Sequence, residues 1–421
     1  MKLTHPKMLI VSALIVAGGA IGLQESLVRS SKSSDEKNTI IHYQPLKVKE
    51  LPKFAEKGID WLASVQFEDG SWGAGSHSAQ HLRDARQVQA DPGTTAFASL
   101  ALLRAGNTLE SGQYSKNLNK SLQYLLNLVE ECPENSERIT SISGTQPQVK
   151  LGQNIDASLC VKFFTRVLPF TKHDKTLENR VNRAIDKCLS KIQKSQNSDG
   201  SVRGGGWAPV LQDAMVTEAL ETGYNLGRDV DKKALERAKD NQKQNVSKNG
   251  EVKSDKGAGV SLYSVASNQR ATAQESRKAQ DLIEKAKKEG KLPANAPVNT
   301  DNLLKIDGLN REEAEKLADA YTQNEITVRK MQDDEVLRGF GNNGGEEFLS
   351  FMMTSESLVI TGGDAWTKWQ GQMHNMLSSI QNQDGSWNGH HCITSPVFCT
   401  AAVILSLTAE NDRELLMKEK K

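Results

Sequence analysis

A chain of 421 residues with 53 Lys and Arg against 52 Asp and Glu carries a formal net charge of +1. That balance provides no basic footprint for a nucleic acid or an acidic membrane surface. The length suffices for a large core, in one big domain or two ordinary ones. Lys2 and Lys7 precede an apolar run, Met8 to Leu23, interrupted only by small residues and Ser12. The run is short for a membrane span and suits the core of a signal peptide. Residues 1–23 therefore read as a signal peptide or an N-terminal membrane anchor, and 24–50, without periodicity, as a linker. The rest is expected to be exported, to the periplasm or cell envelope, with residues 8–23 holding it to the membrane if the run is not cleaved. The five Cys, at 132, 160, 188, 392 and 399, include no Cys-x-x-Cys pair and suggest no disulfide framework.

From Leu51 the apolar spacing becomes helical. Phe54, Gly58, Trp61, Leu62 and Val65 form one stripe, ending at Gln66-Phe67-Glu68-Asp69-Gly70-Ser71-Trp72. Thr94 to Leu103 is then apolar nearly all round, as a helix packed on every side must be. The same plan returns. A stripe from Leu177 to Ile192 ends at Gln196-Asn197-Ser198-Asp199-Gly200-Ser201, with Trp207 a little late, and Val210 to Tyr224 follows. Trp366, Trp369, Met373, Leu377 and Ile380 end at Gln381-Asn382-Gln383-Asp384-Gly385-Ser386-Trp387, and Thr394 to Leu407 follows. Asp-Gly is turn chemistry: Asp bonds its own backbone and Gly supplies a positive φ. Weaker copies around Leu118 to Phe170, Gln244 to Ala266 and Gly341 to Ile360 bring the expected number of helical hairpins to six.

Residues 268–334, rich in Lys, Glu, Ala and Gln, break the pattern and read as a charged helical insert outside the repeat core. Ile306-Asp307-Gly308-Leu309-Asn310 faintly resembles a helix-hairpin-helix DNA element, but it lacks the second Gly and its flanks are acidic. A solvated insert is the expectation, with no nucleic-acid partner. Residues 410–421 form a charged tail.

Paired helices with Gln-x-x-Asp-Gly-Ser-Trp turns (the QW motif) resemble the repeats of the terpene cyclase and protein prenyltransferase superfamily. The resemblance covers residues 51–409. It implies an all-α fold, an α/α toroid in which inner helices ring a central cavity and outer helices surround them. The repeat-turn residues Gln66, Asp69, Gly70, Trp72, Gln196, Asp199, Gly200, Trp207, Gln381, Asp384, Gly385 and Trp387 then have a structural role, Gln satisfying a neighbouring helix end and Trp stapling hairpins together.

The superfamily's chemistries can be compared residue by residue. Class II cyclases protonate an alkene with Asp-x-Asp-Asp-Thr-Ala. Here the stretch is Asp91-Pro92-Gly93-Thr94-Thr95-Ala96, and the two acids that hold and deliver the proton are Gly93 and Thr94. Prenyltransferase β-subunits bind zinc through Asp, Cys and His. Here His390, His391, Cys392 and Cys399 are the residues that would take a thiophilic metal, but no Asp-x-Cys element accompanies them, and no cofactor is expected. A complement-type thioester needs a Cys that Gly344-Gly345-Glu346-Glu347 lacks. Gly362-Gly363-Asp364-Ala365-Trp366, with Trp369 and Ser395 to Ala402, is similar to exported bacterial proteins with prenyltransferase/squalene-oxidase repeats, a branch without an established reaction.

Two readings follow. In the first, the toroid is a non-catalytic binding or scaffold protein whose apolar central cavity holds an apolar or isoprenoid chain, or a protein partner. In the alternative it is an enzyme acting on an isoprenoid or lipid, with Glu346, Glu347, His390 and His391 as candidate site residues. Asp91 and Asp213, in matching register with Thr95 and Thr217, are expected to cap inner helices.

Overall fold

The computed structural model describes residues 48–419. Sixteen α-helices account for the architecture of the described residues, and no strand occurs among them beyond isolated bridges. Six helices form an inner ring: α2 (Pro92–Arg104), α5 (Ile155–Val167), α7 (Pro209–Asn225), α9 (Ser261–Lys288), α13 (Gly345–Thr361) and α15 (Pro396–Leu407). Each packs on the next, and α15 packs back on α2, so the ring is closed. Six more lie outside it: α1 (Lys53–Ser64), α3 (Ser115–Glu131), α6 (Lys175–Lys194), α8 (Lys232–Lys243), α11 (Arg311–Lys330) and α14 (Asp364–Ser379). Each outer helix precedes its inner partner in the chain. The result is an α/α toroid of six hairpins.

The two helix classes differ as their packing requires. All thirteen residues of α2 and all twelve of α15 are buried. The outer α6 buries only a stripe, Val181, Ala184, Ile185, Cys188, Leu189, Lys191 and Ile192, spaced by one helical turn. The inner helices run parallel. First-turn residues of neighbours meet at one rim, where Asn154 N–H bonds Gln212 at 2.8 Å and Tyr263 bonds Glu347 at 2.6 Å. Their C-terminal halves meet at the other rim, where Arg104 reaches Glu356 at 2.7 Å.

The charged segment 268–334 does not lie outside the ring. Asn268 to Ala273 continue the inner helix α9 and are buried, and α11 is the outer helix of the fifth hairpin. Asn324 of α11 donates to Gln269 O and Thr272 Oγ1, both at 3.1 Å. Polar residues that bond across the interface replace the apolar stripe, which is why composition alone misplaced them. Only the far half of α9, with α10 (Thr300–Leu303) and the start of α11, builds a separate small core around Ile283, Leu292, Leu303 and Leu317.

Candidate functional site at the rim of the ring

The repeated turns staple one hairpin to the next. In each, the Asp accepts from the Ser two residues on, through the backbone N–H (2.9 Å for Asp69, 3.0 Å for Asp199 and Asp384) and the hydroxyl (2.6, 2.6 and 2.7 Å). Gln66 donates to Gly70 O at 2.9 Å and to Asn117 O, in the first turn of α3, at 3.0 Å. Gln196 reaches Ala234 O of α8 at 2.9 Å. Gln381 reaches Phe54 O of α1 at 2.8 Å, closing the ring between the last and first outer helices. Trp72 and Trp387 are fully buried, and each indole N–H donates at 2.8 Å to a carbonyl at the end of its own outer helix, Leu62 or Leu377.

The second unit departs from this plan. Val202 takes the position of Trp72 and Trp387, its N–H bonded to Asp213 at 2.9 Å where the other two bond Thr95 and Thr400. Asp213 therefore ties the turn to the helix from within α7 and does not cap it, since α7 already begins at Pro209. Trp207 staples nothing. It is 39% exposed and stacks edge-on against Phe340, ring centroids 5.7 Å apart, with Lys150 over its face. Asp91 does cap α2: its carboxylate accepts from Thr94 N–H at 2.7 Å and from Ala74 N–H at 2.8 Å.

Around the N-terminal rim the structure gathers carboxyls that sequence reasoning had only partly singled out. Gly93 stands where the class II motif has an acid. A Cβ there would lie 2.6 Å from Asp156 Oδ1, so the space belongs to a carboxyl from the neighbouring inner helix. Burial, reinforced by Asp91, pushes Asp156 up to about 7. Gln148 holds its Oδ2 at 2.6 Å and its Oδ1 has no partner among the described residues. Burial likewise pushes Asp213 up to about 7, and Glu346, beside Glu347, up to about 8. Glu346 accepts from Ile393 N–H at 3.1 Å, and its Oε1 meets no strict hydrogen-bond geometry among the described residues. Glu347 is fully engaged, by Tyr263 OH at 2.6 Å, Gly344 N–H at 2.9 Å and Phe340 N–H at 3.1 Å. A short helix, α4 (Gln146–Lys150), lies across this rim. Gln146 accepts from Thr394 N–H at 2.7 Å and Ser395 N–H at 3.2 Å, stapling the start of α15.

His390 is exposed, whereas His391 is half-buried, its Nε2 2.6 Å from Asn342 O and its ring against Phe340. Cys392 lies beside Glu346, and burial pushes its thiol up to about 12. Cys399 is fully buried inside α15, its thiol directed at Ile393 O. Among the described residues no group of three or more His, Cys, Asp or Glu is placed to hold a metal, so His390, His391, Cys392 and Cys399 do not converge on one ion. The helix register carries Cys399 into the core, away from the turn that presents the histidines.

Among the described residues the interior of the ring is not purely apolar. Towards the C-terminal rim the inner helices send charged side chains inward. Arg104 of α2 bonds Glu356 of α13 at 2.7 Å and Asp412, beyond α15, at 2.6 Å. Lys162 of α5 bridges Glu356 at 2.7 Å and Glu218 of α7. Arg166 of α5 reaches Asp412 at 2.5 Å, and Arg270 of α9 reaches Glu221 of α7 at 2.9 Å. Burial alone would raise the Glu356 carboxyl, but Lys162 and Arg104, with Arg166 and Arg270, hold it well below the usual carboxylate range. Beside this network, the gap between α7 and α9 is too narrow to admit a water molecule. No motif announces the network. Its one trace in the sequence is a charged residue in an otherwise apolar inner helix, as with Lys162 and Glu356.

Part of the chain has a counterpart among known families. Residues 39–149 match the family model of the squalene-hopene cyclase C-terminal domain. Two solved structures align along most of this chain: the type II terpene cyclase MstE from Scytonema without ligand, at 11% identity and TM-score 0.34, covering 84% of this chain and 96% of that one, and a variant of MstE in complex with its product merosterolic acid A, at 13% identity and TM-score 0.34, covering 86% and 96%. No curated protein matches. No helix among the described residues is long and apolar enough to cross a membrane, and the run at 8–23 lies outside them.

Proposed function

We propose that the protein is an exported toroid that binds or scaffolds and carries out no reaction in its lumen. The observation behind this reading is the buried ion-pair network across the ring. A flexible isoprenoid chain needs an open apolar chamber, and here Arg104, Lys162, Arg166, Arg270, Glu218 and Glu356 form ion pairs inside the ring towards its C-terminal rim. The acids that deliver a proton in a class II cyclase are Gly93 and Thr94 in this chain. The exported location rests on the N-terminal sequence and is tested by fractionating cells that express the full chain.

A specific observation keeps an enzymatic reading in play. Asp156 and Glu346 are buried carboxyls that burial pushes up to about 7 and about 8, so a substantial fraction of each is protonated at neutral pH and can act as a general acid. One experiment decides between the two. The full chain is incubated with squalene and with polyprenyl diphosphates of several lengths, and products are read by mass spectrometry. No product is expected. A product that disappears in Asp156→Asn or Glu346→Gln would establish catalysis and overturn the binding reading.

A further inference from the structure

Outside the ring, α3 and the irregular segment 132–142 enclose a pocket of about 800 Å³, the size of a small-molecule site. The segment is a built wall. Lys191 of α6, itself buried, donates to Pro133 O at 2.9 Å and Ser136 O at 2.6 Å, and Lys187 donates to Cys132 O at 2.5 Å. Cys132 Sγ and Ser136 Oγ both bond Arg138 O, at 2.9 and 2.7 Å. The backbone of Arg138 is thus fixed, while its guanidinium has no hydrogen bond or ion pair among the described residues. Tyr124, on the opposite wall, also keeps its hydroxyl unbonded among them. Burial raises its pKa, with Asp69 and Asp91 adding to the effect, so the phenol stays protonated and donates. Leu128, Ile139 and Ile142 supply the apolar lining. Behind the wall, Gln148 links Ile142 O, at 3.1 Å, to Asp156, whose buried Oδ1 is unpartnered.

We propose that this pocket binds a small amphipathic carboxylate, its head held by Arg138 and Tyr124 and its apolar body lying along Leu128, Ile139 and Ile142. A guanidinium offers paired N–H groups that match a carboxylate. Asp69 and Glu131 at the rim are exposed, so salt screens them, whereas Asp91 and Asp156, which also act on Tyr124, are buried acids whose burial favours the uncharged form. The assignment rests on the reading of the toroid as a binding protein.

The test is calorimetric titration of the full chain with decanoate, and with 1-decanol as a probe of the same tail without the charge. Decanoate is expected to bind, decanol at least about tenfold more weakly, and Arg138→Gln to weaken decanoate by about 10- to 100-fold at unchanged melting temperature. Tyr124→Phe, which deletes one hydroxyl, should weaken it less, and Leu128→Trp, which crowds the apolar lining, should weaken it as well. Arg311→Gln, on the exposed face of α11, should match the wild type. Equal affinity for decanol, wild-type affinity in Arg138→Gln, or no decanoate binding would each overturn the assignment. Should Arg138→Gln fail to fold, Tyr124→Phe and Leu128→Trp decide instead, and wild-type affinity in both would have the same consequence. None of these outcomes bears on the lumen, whose reading stands or falls on turnover.

Discussion

At the scale of single residues the molecule holds two opposite kinds of buried carboxyl. Glu356 lies between Arg104 and Lys162, with its side chain and that of Arg104 entirely inaccessible. Removing one member of a buried ion pair strands the others, which costs about 3–5 kcal/mol. Glu356→Gln is therefore expected to lower stability by about that amount in urea denaturation; a loss under about 1 kcal/mol would show the network to be energetically idle. Asp156, Asp213 and Glu346 behave in the opposite sense, held at about 7, 7 and 8. An unfolded chain releases these protons near pH 4. The native state retains them, so the stability they contribute is complete below that pH and is lost as pH rises through 7 and 8. Melting temperature should fall between pH 5 and 8, and Glu346→Gln, which keeps the shape of the neutral acid, should flatten the fall. A parallel curve for the variant would refute the role given to Glu346.

At the scale of the hairpin, stability is concentrated in the turns. Gln381 joins α14 to α1, and Gly385 sits at φ 95 with Lys57 O only 2.7 Å from where a Cβ would be. Gln381→Ala should cost about 1–3 kcal/mol by removing two hydrogen bonds, to Phe54 O and to Gly385 O. Hydrogen exchange would locate the effect, with faster exchange in α1 and none in α8. Gly385→Ala should cost more, because it adds strain at positive φ to a backbone clash. The tryptophans permit a contrast. Trp387→Ala, at a fully buried site, should cost about 3–5 kcal/mol, and Trp207→Ala, at a surface site, about 0.5 kcal/mol or less. Comparable losses would mean that Trp207 carries packing its exposure does not reveal.

At the scale of the whole molecule, closure changes how a repeat protein should unfold. An open solenoid can unravel from its ends, since each repeat touches only its neighbours. Here α15 packs on α2, and the central ion pairs draw on α2, α5, α7, α9, α13 and the residues after α15. Ring and network should therefore melt together. Tryptophan fluorescence and far-ultraviolet dichroism are expected to give coincident urea transitions. A chain ending at Gly363, without the last hairpin, should lose the transition altogether; a truncated chain that melted cooperatively would show closure to be dispensable.

The sequence by itself determined the hairpins, their number and their turns, because these rest on local physics: helical spacing of apolar residues, the Asx bond of Asp-Gly-Ser, and the positive φ of Gly. It also determined which helices are inner, since a helix apolar on every face has to be surrounded. The tertiary structure alone decided what fills the ring. Arg104, Lys162, Glu218, Arg270 and Glu356 are isolated charges in the sequence, and only closure of the ring brings them within bonding distance of one another. It also decided that residues 268–288 belong to an inner helix, because amides and hydroxyls buried in an interface look in sequence like a solvated surface. Asp156 is the clearest case: its chemistry depends on Gly93 and Asp91 of another helix, and no spacing within its own segment records them.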